Sequence, residues 1–144
     1  MLFKYEFMDA WLQPIAEFTV QLDSSANTVS YRLYDESMAI HSCIEMDELT
    51  ASRLEKIIQS IPDDVFASAW LEYPPDVEVL DGYCHRFTID RDTDHVQLCG
   101  SNISYCCGRY DKAPNAAACI AAVDAMAEIL KPIGVPEGCF WFEK

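Results

Sequence analysis

Two stretches of strict alternation, one turn apart, constrain this chain more than any other feature. Between Ile15 and Leu22, Phe18, Val20 and Leu22 alternate with Thr19 and Gln21. Between Thr28 and Tyr34, Val29, Tyr31 and Leu33 alternate with Ser30 and Arg32. A period of two puts one set of side chains on one face of an extended backbone. The intervening Asp23-Ser24-Ser25-Ala26-Asn27 is rich in turn formers, so the pair predicts a hairpin with one buried face. Asp35-Glu36-Ser37 turns the chain again, and Met38 to Ile44 is expected as a third strand.

The period then changes. Leu54, Ile57, Ile58 and Ile61 recur at the spacing of a one-faced helix, which Pro62 closes. Thr50 is the expected N-cap, its hydroxyl accepting a first-turn N–H, with Leu49 and Leu54 at staple spacing. Val65 to Glu72 is expected as another strand, and Pro74-Pro75 breaks the chain.

The second half repeats the order. Asp81-Gly82 turns, Tyr83 to Asp90 reads as a strand, Arg91-Asp92-Thr93-Asp94 turns, and His95 to Cys99 is its partner. An irregular stretch from Gly100 to Gly108 precedes a helix from about Asn115 to Lys131, stopped by Pro132. Its Asp124, Glu128 and Lys131 form one narrow stripe on an otherwise apolar surface, which suits a helix laid deeply across a sheet. The tail, Cys139-Phe140-Trp141-Phe142, is a last strand or a plug over the core. The expected fold class is α+β: an antiparallel sheet from two strand-strand-helix units with two main helices packed on one face. At 144 residues and 51% apolar composition, the chain is expected to be a single domain spanning 1–144.

Charge narrows the function. Ten bases against 24 acids give a net charge of −14, which repels phosphate and excludes nucleic acid and anionic membrane as partners. Residues 1–80 carry fifteen acids and four bases, net −11, and the remainder nets −3. The acids gather in Asp35-Glu36, Glu45-Asp47-Glu48, Asp63-Asp64 and the stretch from Glu72 to Glu78. Trp70 and Tyr73 lie beside Glu72, Asp76 and Glu78, and aromatics anchor interfaces that charges steer. Asp63, Asp64, Trp70, Glu72, Tyr73, Asp76 and Glu78 are therefore the expected partner-binding residues, facing a basic protein.

Glu6 and Asp9 interrupt the apolar start, so no secretory leader is expected, and no run reaches the ~18 residues of a membrane span. A cytoplasmic location follows as the expectation. Seven cysteines, an odd number in a reducing compartment, are expected to be packing residues rather than a disulfide framework.

Cys84, His85, His95, Cys99, Cys106 and Cys107 fall within one segment and are the candidate metal or nucleophile cluster. Their spacing lacks the paired knuckle of a structural zinc site, and the acidic surroundings disfavour a thiolate. Asp90-x-Asp92-x-Asp94 lacks the glycine and distal glutamate of a calcium loop, and no Gly-x-Gly phosphate loop exists. No catalytic residue, metal or cofactor is expected.

Leu49-Thr50 opening a helix, Asp81-Gly82 before a strand, and Gly100-x-Asn102 followed by Pro114-Asn115 opening an Ala-rich helix carry a resemblance. Their order resembles that of small acidic bacterial α+β proteins, the polymorphic-toxin immunity proteins, over the region Leu49 to Leu130; Ile103 to Ala113 departs from the pattern. The resemblance implies a non-enzymatic cytosolic protein that neutralises a partner. The expected function is thus an immunity-like inhibitor docking a basic toxin or nuclease through an acidic face. The alternatives are a small enzyme or metal-binding domain built on the Cys/His cluster, and a domain that forms a homodimer through the Trp141 tail.

Overall fold

A computed structural model describes residues 1–9, 11–35, 38–67, 84–101 and 114–140. Six strands, β1 (Leu2–Met8), β2 (Pro14–Leu22), β3 (Asn27–Asp35), β4 (Met38–Glu45), β5 (Cys84–Asp90) and β6 (His95–Ser101), form one antiparallel sheet. Their order is β4-β3-β2-β1-β5-β6. Among the described residues the helices are α1 (Glu48–Gln59), α2 (Asp63–Phe66) and α3 (Pro114–Leu130), followed by 3₁₀ turns at Lys131–Ile133 and Glu137–Phe140. The fold is α+β, with, among the described residues, four strands before α1 and two more before α3. No helix among the described residues is long and apolar enough to cross a membrane.

The strands expected from alternation are present, and β1 is added to them. Its Phe3, Tyr5 and Phe7 are buried while Lys4 and Glu6 between them are half-buried on the other face. Glu6, one of the acids that break the apolar start, is an outward position of this strand, and Asp9 follows its end. β1 lies between β2 and β5, so it ties the first three-strand meander to the later hairpin. Phe3 stacks on Phe18 at 6.0 Å and Tyr5 meets Phe87 at 5.1 Å, forming an aromatic layer across three strands. Each such ring contributes roughly 1.5–3 kcal/mol by leaving water.

That inner face shares one apolar cluster with Ala51, Leu54 and Ile58 of α1 and Cys119, Val123, Met126 and Leu130 of α3. Ile57, expected in the core, is only half-buried. The helix start also differs from expectation. Asp47, not Thr50, is the N-cap, its Oδ1 accepting the Thr50 N–H at 2.7 Å. An aspartate three residues earlier caps the helix as well as a threonine does and adds a charge that favours the helix N-terminus. Leu49 then falls inside the first turn, 73% exposed, and makes no staple.

Asp63–Phe66 is a helical turn where a strand from Val65 was expected. Pro62 sets the entry and two acids occupy the first turn, both favouring helix. Residues 68–72 of that expected strand lie outside the described residues, as does the turn at Asp81-Gly82. At the other end, Gly134 (φ 116°) closes the 3₁₀ turn in the left-handed conformation that glycine adopts without strain. The chain then turns back, and Cys139 and Phe140 are buried as a plug, Phe140 reaching Phe18 at 4.9 Å. Trp141 and Phe142 lie outside the described residues.

Candidate functional site

Of the seven expected docking residues, Trp70, Glu72, Tyr73, Asp76 and Glu78 lie outside the described residues, as do Cys106 and Cys107. Asp63 and Asp64 stand exposed at the start of α2. Asp63 is drawn into a clamp. Arg91 Nη2 donates to Asp63 Oδ1 and to Asp94 Oδ2, both at 2.8 Å, and Nη1 donates to the Ile61 carbonyl at 2.8 Å. The guanidinium lies 3.9 Å over the Phe66 ring. Burial works against the Arg91 charge, but the bonds to Asp63 and Asp94 more than offset it and hold its pKa above the usual arginine value. The clamp locks the β5–β6 turn onto the end of α1 and the start of α2.

The outer face of the sheet is nearly balanced in charge. One side chain per strand makes a row across it: His41, Arg32, Glu17, Glu6, Arg86 and Cys99. Glu6 lies 3.7 Å from both Lys4 and Arg86. Part of the acid excess, Asp23, Glu48, Glu55 and Asp92, gathers at the end of the sheet where β1 begins.

There a groove of about 370 Å³ opens between the β2–β3 turn, α1 and the β5–β6 turn. Asp23, Glu48, Glu55 and Asp92 line it, with Ser24 and Ser52 between them. Local bonding fixes two of these carboxylates, Asp23 and Asp92, in place. Asp23 Oδ1 accepts from the Ser25 hydroxyl (2.7 Å) and from the Ser25 and Ala26 amides (2.8 and 2.7 Å), which lower its pKa. Asp47, beside the groove at the helix cap, is lowered in the same way by the Thr50 amide. Asp92 Oδ1 receives the Met1 amino group at 3.1 Å. The lowered pKa values keep Asp23 and Asp47 ionised through the physiological range, and the groove's acidic lining gives it a negative potential. Local pattern could not have joined residues 23, 48, 55 and 92; only the turn and cap chemistry of Asp23 and Asp47 is visible in the sequence.

The Cys/His cluster is divided by the sheet. His85 is buried on the inner face, while Cys84 and Cys99 are half-buried on the outer face, Cys99 paired across the ladder with Arg86. A hydrogen bond to Cys99 helps raise the Arg86 pKa. His95 stands exposed at the start of β6. Among the described residues no group of three or more His, Cys, Asp or Glu side chains is arranged to hold a metal. His85 instead belongs to the aromatic core. Its Nδ1 lies 2.8 Å from the Tyr5 hydroxyl and its ring 5.1 Å from Phe7. Burial pushes His85 down to about 4 and Tyr5 far above the usual phenol range, so both are neutral. Cys119 and Cys139 are buried, and burial pushes the Cys139 thiol up to about 11, with Glu17 adding to it. Cys43 is exposed, unlike the packing residue expected.

One exposed anchor escaped the sequence reading. Trp11 is 84% and Leu12 57% exposed in the β1–β2 loop. Asp9 Oδ1 accepts the Trp11 and Gln13 amides, both at 2.9 Å, and Leu12 is held at φ 62°. These bonds tie the backbone beside the exposed Trp11 and Leu12 to Asp9. The loop lies at the far end of β1 from the acidic groove, about 20 Å away at ~3.3 Å per strand residue.

No protein-family model matches the chain, and no curated protein is significantly similar to it.

Proposed function

We propose that this chain is a non-enzymatic protein-binding module, an immunity-like inhibitor of a basic toxin or nuclease, acting in the bacterial cytoplasm through an acidic face. The observation that carries this reading is the groove at which Asp23, Glu48, Glu55 and Asp92 converge from three separate segments. Its mechanism is occlusion of the partner's cationic site by carboxylates that imitate a polyanion, with long-range attraction raising the association rate. The net charge of −14 supports a basic partner and opposes nucleic acid or anionic lipid. The same reading takes the architecture as two strand-strand-helix units with both main helices on one face. It extends the docking surface to Asp63, Asp64, Trp70, Glu72, Tyr73, Asp76 and Glu78.

An enzyme or metal-binding domain built on the Cys/His cluster is the weaker reading, because His85 and Cys84 point to opposite faces of β5. The test is capture of the partner from the native host with tagged protein, followed by recapture with the Glu48→Lys/Glu55→Lys variant. The proposal expects a basic protein that the reversed variant retains poorly.

A further inference from the structure

In the edge strand β4, Ile40 and Ile44 lie symmetrically about Ser42, with His41 and Cys43 between them. It pairs with β3 on one side and, among the described residues, with nothing on the other. Edge strands are usually blunted by proline, lysine or a covering element. β4 contains neither residue. The opposite edge, β6, has α2 packed beside it.

Which groups β4 offers follows from the ladder. Met46 N–H donates to the Asn27 carbonyl at 2.9 Å, in register with Thr28 opposite Glu45. Antiparallel ladders alternate, so Ile40, Ser42 and Ile44 bond to β3, and the N–H and C=O of Ala39, His41, Cys43 and Glu45 point outward. Ile40 is 51% exposed, one of four large apolar side chains so exposed among the described residues.

We infer that β4 is a self-complementary edge that pairs antiparallel with β4 of a second copy, with Ser42 on the two-fold axis. A two-fold contact requires that residue i meet residue j and j meet i. Centred on Ser42, the pairing sets Ile40 beside the second copy's Ile44 on the core side, twice. On the outer side it sets His41 opposite Cys43 and Glu45 opposite Ala39. The diagonal neighbour of Glu45 is then the other copy's His41, so unlike groups approach and no two acids oppose each other. The outward donors and acceptors of His41 and Cys43 satisfy one another as a hydrogen-bonded pair. This inference stands independently of the proposed inhibitor function, and salt separates the two. Two copies of net charge −14 repel, so salt strengthens this contact and weakens docking of a basic partner.

The experiment uses the full chain. Sedimentation equilibrium from micromolar to near-millimolar protein is expected to show a monomer–dimer equilibrium that shifts toward dimer as salt rises. Ser42→Cys places two thiols at a non-hydrogen-bonded pair, about 4.5–5.5 Å apart at Cβ, and mild oxidation is expected to link residue 42 to residue 42 by peptide mapping. Cys43→Pro removes an outward N–H without touching the β3 ladder and is expected to weaken association about tenfold with unchanged circular dichroism. If that variant misfolds, Ile40→Lys is expected to give the same loss by placing a charge at the apolar contact. A chain monomeric at every concentration overturns the inference, leaving the edge for a strand of another protein. A dimer that does not link through residue 42, or that survives both substitutions, overturns it equally.

Discussion

The Tyr5 hydroxyl and His85 Nδ1 meet at 2.8 Å inside an aromatic core, eighty residues apart in sequence and on adjacent strands. Burial holds His85 at about 4, against an ordinary 6.5. Between those values the unfolded chain binds a proton that the folded chain refuses, so stability falls as pH drops through this window and is flat above it. At pH 5 the loss is about 2 kcal/mol. Urea unfolding at about pH 7.5 and pH 5 measures it. His85→Gln keeps an acceptor for Tyr5 without titrating, and the difference should shrink in that variant; an undiminished pH effect would place its origin elsewhere.

Arg91 is the second test. Replacing it with alanine removes the ring contact with Phe66 and leaves the Ile61 carbonyl without its donor, so a loss of about 2–4 kcal/mol is expected. Asp63→Asn should cost much less, because that carboxylate is 95% exposed and the surface pair is screened. Denaturant midpoints of the two variants rank them directly, and equal losses would contradict the clamp.

Leu130 is fully buried beneath the sheet and Ile57 is half-buried. Leu130→Ala should cost about 2–5 kcal/mol through lost transfer energy and a cavity, and Ile57→Ala distinctly less. A Leu130 effect below about 1 kcal/mol would mean that α3 does not close the core.

Much of this architecture was legible because one face of each strand is buried. Phe18, Val20 and Leu22, or Phe87 and Ile89, announce strands through alternation alone. β1 obeys the same rule, yet Glu6, an outward position of the strand, reads as an interruption when the segment is judged only as a possible leader. The cap at Asp47 was missed because Thr50 is also a good capping residue, and local chemistry does not choose between them. The acidic groove was not legible. Its carboxylates come from turns and a helix that only the sheet order brings together, and the same holds for Arg91 with Asp63.

The most direct measurement of the central claim is the association rate of the captured partner with wild-type protein and with Glu48→Lys/Glu55→Lys, at about 0.1 M and 1 M salt. Screening shortens from ~10 Å to ~3 Å over that range. The account predicts that salt and charge reversal each slow association strongly while dissociation changes little. It predicts too that salt has little further effect on the reversed variant. A partner that is itself acidic, or an association rate indifferent both to salt and to reversal of the two glutamates, would contradict it.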